Sequence, residues 1–259
     1  MAIILRSRRE IELIRSAGKV VADVLLKLKD SAAVGVTTGQ LNEIAENMTV
    51  QAGATALFKG VKNPYGYKAF PAAICASLNQ QIVHGIPSSK VMLRDGDIIS
   101  IDFGAKLEGY CGDAAVTLAI GKIDDGKQKL MDATKRMLDI AIEHSKPGIN
   151  WSSIADRMQK TAQSAGFSVV RDFVGHGIGT EMHEDPKVPN FVSVELLKHD
   201  ILLQEGMILA VEPMVNMGSS DVVTLKDGWT VVTRDGKPSA HFEHTIAVTN
   251  NGCEVLTIS

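Results

Sequence analysis

Aromatic residues, cysteines and an excess of either charge are all scarce in this sequence, and each scarcity removes a class of function. Phenylalanine, tryptophan and tyrosine make up 5% of 259 residues, too few for the stacking platforms that hold single-stranded nucleic acid. Against 30 acidic residues stand 27 basic ones, a net charge of −3, so a polyanion as main ligand is not expected. The three cysteines, Cys75, Cys111 and Cys253, are too scattered for a disulfide framework or a CxxC zinc site, and a reducing cytoplasm is the simplest home. No apolar run reaches the roughly 18 residues of a membrane span, and Met1 to Glu10 does not read as a signal peptide. HExxH, GxSxG and Walker-type loops are absent, and Gly175-His-Gly-Ile-Gly lacks the strand and helix of a nucleotide fingerprint. Cys75 and Cys111 have no histidine placed beside them as a base.

What is plentiful is apolar: 45% hydrophobic against 22% charged residues, enough for a large core. At about 150 residues per domain the length allows one domain, two, or one doubled. A capping box, Ser7-Arg8-Arg9-Glu10, opens a helix with Ile11, Ile14, Ala17, Val21 and Leu25 on one face, and a second, Thr37 to Gln40, opens another that stops near Gly53. Gly60 to Pro87 reads as irregular, and Asp97 to Ala105 and Tyr110 to Ile120 read as strands. The second half repeats the order: helices over Gln128–His144 and Ser152–Ala165, then strands at Met207–Val215, Asp221–Leu225, Thr230–Thr233 and Thr245–Val248.

The repetition extends to residues. Leu93 to Asp102 aligns without gaps on Leu203 to Glu212, and His84-Gly85-Ile86 recurs as His176-Gly177-Ile178. The expectation is a single domain over 1–259, built from similar α+β halves at about 7–120 and 126–250. The halves differ most in one place: 31 residues run from Gly53 to His84, but 10 from Gly166 to His176. The longer segment carries the aromatic cluster and should build something the second half lacks.

Both aligned blocks end an apolar strand on a carboxylate, Asp102 and Glu212. Such a group is costly to bury unless paired or metal-bound. A hairpin turning through Lys106 to Gly109 would set Asp102 directly opposite Asp113. A second hairpin around Asp227-Gly228 would set Glu212 opposite Glu243, the two pairs showing the same relation. Four carboxylates on paired strands, joined by His176, suit two divalent cations with an activated water between them. The oxygen-rich set leans towards Mn, Fe(II) or Co over structural zinc. His144, His199, His241 and His244 read as ordinary surface or core residues. The side chain of His244 should face away from that of its neighbour Glu243.

Asn79 to Pro87, Asp97 to Asp102, Gly109 to Asp113, Gly175 to Gly179, Met182 to Pro186, Met207 to Pro213 and His241 to Thr245 together resemble the motifs of type I methionine aminopeptidases, nearly end to end. The resemblance implies the pita-bread fold, α+β, with two pseudo-symmetric halves and antiparallel sheet around a dinuclear metal site. It implies metal ligands at Asp102, Asp113, His176, Glu212 and Glu243, and two divalent ions drawn from Co, Mn, Fe(II), Zn or Ni. It further implies His84 at the scissile nitrogen, His183 at the carbonyl oxygen and Glu212 as general base. The methionine pocket would be formed by Tyr67, Phe70, Cys75, His84, Met182 and Trp229, with His183 also binding substrate. Many relatives carry cysteine where Pro64 stands and phenylalanine where Met182 stands, so the pocket contour departs from the pattern. The implied protein is a cytoplasmic monomer of the short bacterial form, acting on nascent N-termini near the ribosome, with no membrane or stable nucleic-acid partner. Its own Met1-Ala2 would qualify as substrate. The alternatives are an Xaa-Pro aminopeptidase or prolidase-type peptidase, which usually has an added N-terminal domain for which no room is seen before Ser7, and a non-catalytic binding protein of the same fold.

Overall fold

The computed structural model describes residues 3–258, so Met1-Ala2 lies outside the described residues. The described residues form five helices, α1 (Arg8–Ser31), α2 (Thr38–Gln51), α3 (Asp125–His144), α4 (Trp151–Ser164) and α5 (Val194–Lys198), with strands between them. The strands are β1 (Thr55–Ala56), β2 (Ile74–Leu78), β3 (Gln81–Val83), β4 (Ile98–Leu107), β5 (Tyr110–Ala119), β6 (Ser168–Val169), β7 (Gly175–Gly177), β8 (Glu184–Val188), β9 (Ile208–Val211), β10 (Met214–Asn216), β11 (Val222–Thr224), β12 (Val231–Thr233), β13 (Ser239–His241), β14 (Glu243–Thr249) and β15 (Gly252–Val255).

Local chemistry sets the helix boundaries. Both capping boxes form: Ser7 and Thr37 side chains accept from the backbone N–H of Glu10 and Gln40, whose side chains reach back to the cap. Asp124 caps α3 by accepting from Lys127 N at 2.9 Å. In α4 the first residue, Trp151, is fully buried and its indole N–H donates to Pro189 O at 2.7 Å.

The nine-stranded sheet runs β1-β4-β5-β14-β9-β7-β8, with β2 beside β4 and β15 beside β14. Its centre is the β5–β14 contact, where the two halves of the chain meet. Along β4, Ile99, Ile101, Phe103 and Ala105 join the core under α1 and α2. With a side-chain period of two, Asp102 faces the opposite side of the sheet. Along β9, Leu209 and Val211 join the core under α3 and α4, which sends the next alternate position, Glu212, the other way. A three-stranded sheet, β11-β12-β3, ties the second half back to the first.

Three expectations need correction. The β4–β5 turn is Glu108-Gly109, with φ of 48° and 85°, the two positive values of a two-residue type I′ loop. Pairing therefore extends to Leu107–Tyr110, and the register moves by a residue on each strand: Asp102 opposes Ala115 and Asp113 opposes Gly104. The two aspartates are diagonal neighbours on one face, not direct partners. The run Met207–Val215 is likewise not one strand. It breaks at Glu212-Pro213, β9 staying in the large sheet and β10 joining β13 and β6. Proline has no N–H for a ladder and marks the switch. The stretch read as irregular contains β2 and β3.

Candidate metal centre and its pocket

Two adjacent cross-strand rows build the site. In the first, Cys75, Asp102, Ala115 and Glu243 stand side by side on β2, β4, β5 and β14. The β9–β14 ladder ends at Val211 with His244, which brings Glu212 next in line with Glu243. In the second row Gly104 pairs with Asp113, and Thr245 with Ala210, which pairs with His176. Glycine, alanine and threonine are thus interspersed among the ligand-type side chains. Small partners leave room for the carboxylates to converge.

They do converge. Asp113, His176 and Glu243 each offer a ligand atom within 4.8 Å of the others, and His176 Nε2 lies 3.5 Å from Glu212 Oε1. Asp113 and Glu243 are 4% and 3% exposed. Buried oxygens of Asp102, Asp113 and Glu243 have no hydrogen-bond partner among the described residues. Burial, followed by repulsion from neighbouring carboxylates, pushes Asp113, Glu212 and Glu243 well above the usual range, and burial raises Asp102 to about 7. Four acids in this state fit divalent cations, whose charge would let all of them ionise. Burial lowers His176 to about 4, so its imidazole is neutral; its Nδ1 sits 2.9 Å from Gly177 O and its Nε2 faces the carboxylates.

Above the acids opens a cavity of about 500 Å³. Its walls are largely apolar, with Phe70, Cys75, Met182 and Trp229 among them. Phe70 meets Trp229 edge-on at 5.3 Å, and Trp229 donates its indole N–H to Lys68 O at 2.8 Å. The longer first-half segment therefore forms a wall together with the Asp227-Gly228 turn, joined also by Asn63 Nδ2 donating to Gly228 O at 2.7 Å. His84, at φ 57°, packs edge-on to Phe173 at 5.6 Å, and burial, then His183, lowers it to about 4. His183 stands 4.3 Å from the His176 ring, and burial lowers its pKa as well.

The structure brings His84, His183, the four acids, His176, Phe70, Cys75, Met182 and Trp229 to one cavity. Tyr67 is not among the residues lining it: 50% exposed, it packs over Gly228 on the rim. Phe58, Val61 and Phe173 line the cavity without having been anticipated, because an apolar residue in an irregular segment carries no periodic signal. His144 is half-buried and His199 exposed, and His244 bonds Thr257 Oγ1 at 2.9 Å on the other face. His241 is a core residue, and it stands beside the acids. Buried at 1%, it places Nε2 3.9 Å from both Glu212 and Glu243.

The duplication is sharper in space than in sequence. Gly96 N bonds Ile120 O and Ile120 N bonds Asp97 O; Gly206 N bonds Val248 O and Val248 N bonds Met207 O, all at 2.9 Å. Strands β4 and β5 thus correspond to β9 and β14. Asp102 corresponds to Glu212, but Ala115, not Asp113, corresponds to Glu243. The two acid pairs do not show the same relation, because the register of the first hairpin is not the one its sequence symmetry suggested.

The sequence profile of metallopeptidase family M24 matches residues 12–250. Methionine aminopeptidase of Clostridium perfringens is 48% identical over 256 residues, covering 99% of each chain. The crystal structure of methionine aminopeptidase from Thermotoga maritima is 40% identical and superposes with a TM-score of 0.93 over 100% of both chains. Prolidase from Pyrococcus furiosus superposes with a TM-score of 0.77 at 20% identity, this chain spanning 66% of its length. The prolidase likeness shows the shared pita-bread fold alone.

Proposed function

Since this chain belongs to metallopeptidase family M24, we propose that it is a metal-dependent aminopeptidase that removes N-terminal methionine when the second residue is small. The observation that carries the reading is the union of a four-carboxylate cluster, Asp113 and Glu243 buried and Asp102 and Glu212 half-buried, with an apolar cavity of about 500 Å³ directly above it. The relatives at high identity bear the same activity in their names, whereas the prolidase likeness rests on fold. All five ligand positions are filled, which speaks against a binding protein that kept only the architecture.

Asp102, Asp113, His176, Glu212 and Glu243 would hold two divalent ions, drawn from Co, Mn, Fe(II), Zn or Ni. Such ions supply a water of lowered pKa and positive charge for a developing oxyanion. Glu212 accepts the proton of the attacking water as general base. Neutral His183 donates to the carbonyl oxygen as it gains charge. Neutral His84, across the cavity, contacts the scissile nitrogen. Phe70, Cys75, Met182 and Trp229 enclose the methionine side chain; burial of a side chain of that size is worth about 1.5–3 kcal/mol. Met182 is unbranched and polarisable, and keeps the wall apolar. The substrates we propose are nascent chains, met in the cytoplasm through transient ribosome contact by a monomeric enzyme.

Mass spectrometry of Met-Ala-Ser and Met-Lys-Ser with Mn(II) or Co(II) tests the reading. Methionine is expected from the first peptide and not the second. Equal release from both, or preferential turnover of Xaa-Pro dipeptides, would sink it.

A further inference from the structure

His241 has a counterpart across the pseudo-twofold axis. Asp113 N donates to Thr245 Oγ1 at 3.0 Å, and that hydroxyl donates to Asp113 O at 2.8 Å. His241 N donates to Thr117 Oγ1 at 2.9 Å, and that hydroxyl donates to His241 O at 2.7 Å. The same reciprocal clasp is built once in each half. His241 therefore occupies in the second half the place that Asp113, a proposed ligand, occupies in the first.

What stands there is not a fifth acid. A carboxylate at 241 would add repulsion to a cluster already crowded with negative charge, whereas a neutral imidazole brings one N–H. Its Nε2 has no hydrogen-bond partner among the described residues and faces two acceptors, Glu212 Oε2 and Glu243 Oε2, each at 3.9 Å. With acceptors on that side, the Nε2–H tautomer is favoured. Glu243 is held by strand pairing on β14. Glu212 lies beyond the end of β9 and before Pro213, so the ladder does not hold it. Its two oxygens are bracketed by two rings, Oε1 by His176 and Oε2 by His241.

We propose that His241 is a positioning residue for Glu212, its Nε2–H donating to Oε2 and fixing the plane of that carboxylate. The terminal torsion of a glutamate is soft, so a small rotation closes 3.9 Å to a hydrogen bond, and contacts of this kind tighten in the working complex. His241 thus acts through Glu212 and does not itself touch substrate. The proposal rests on the general-base reading of Glu212.

The test compares wild type, His241→Leu and His241→Gln by calorimetric titration with Mn(II) and by steady-state release from Met-Ala-Ser. Leucine fills the volume without a donor; glutamine returns an N–H. His241→Leu should bind Mn(II) about tenfold more weakly and lose about 10–100-fold in kcat with KM little changed, and His241→Gln should recover most of both. Wild-type affinity and kcat in His241→Leu would overturn the proposal. So would a glutamine variant as impaired as leucine, since the ring and not the donated N–H would then be required. If wild type binds Mn(II) but releases no methionine, the aminopeptidase reading fails, and the Mn(II) affinities still decide the place of His241.

Discussion

At the scale of single residues, the site is defined by charge that finds no partner. Elsewhere buried charge is answered: Arg6, 7% exposed at its side chain, holds both oxygens of Glu184 at 2.7 Å. Asp113 and Glu243 have no lysine or arginine beside them among the described residues, only other acids and imidazoles, which is the signature of a cation site. Asp113→Asn should therefore lose Mn(II) affinity while folding normally, and titration calorimetry beside a thermal melt separates the two. Undiminished affinity would remove Asp113 from the ligand set. Cys75 makes the contrary case. It stands in the ligand row, but burial, followed by the charges of Asp102 and Asp113, holds its thiol well above the usual range. A thiol kept protonated is a poor nucleophile. Cys75→Ala should leave kcat essentially unchanged, and iodoacetamide should not inactivate the enzyme at pH 8; inactivation traced to Cys75 by peptide mapping would contradict this. The acids and His176 were legible in the sequence because polar residues ending apolar strands break a pattern. His241 was passed over because its partner, Thr117, lies 124 residues away.

At the scale of elements, the loop that carries Met182 and His183 is held from two sides. Glu184 accepts from Thr180 N at 2.9 Å and Glu181 N at 3.1 Å, while Arg6 grips the same carboxylate. Opposite, Cys111 N donates to Gly179 O at 2.7 Å and Lys106 Nζ to Thr180 O at 2.6 Å. A side chain at Gly179 would collide with Arg6, its Cβ 2.2 Å from the guanidinium. The segment before α1 is thus a latch on a wall of the pocket. Arg6→Met leaves Glu184 buried without its charge partner and should cost about 3 kcal/mol in urea unfolding, together with a fall in kcat as His183 loses its seat. A stability loss with unchanged kcat would confine Arg6 to a structural part. Helices were the readable elements: two capping boxes and amphipathic runs long enough to show a period. Strands β2, β3, β7 and β8 have five residues or fewer, too short for a period to declare itself.

At the scale of the whole molecule, proton and metal linkage oppose each other in an observable way. His84 and His176 sit at about 4 and His241 at about 3, below the ordinary 6.5. Between those values the unfolded chain binds more protons, so the histidines stabilise the fold increasingly as pH rises to about 6.5, and no further above it. The carboxyls have the reverse sign. Raised in the folded chain, they hold protons that the unfolded chain has lost, so stability without metal falls as pH rises through about 7 and beyond. A divalent cation replaces those protons. The Tm difference between Mn(II)-loaded and EDTA-treated protein should therefore be larger at pH 8.5 than at pH 6.5, by calorimetry. An equal difference at both values would count against cation binding by these acids.

The amino-acid sequence by itself determined the helices, the two-fold repetition and the identity of the acids, since caps, periods and polar interruptions of apolar strands are local and additive signals. Only the tertiary structure decided which groups face which. A two-residue turn at Glu108-Gly109 shifted Asp113 from Asp102 to Gly104, Pro213 split one run between two sheets, and the β5–β14 contact set His241 opposite the acids. Register is a property of a pair of strands, and a turn's conformation fixes it through φ angles that no hydrophobic pattern records.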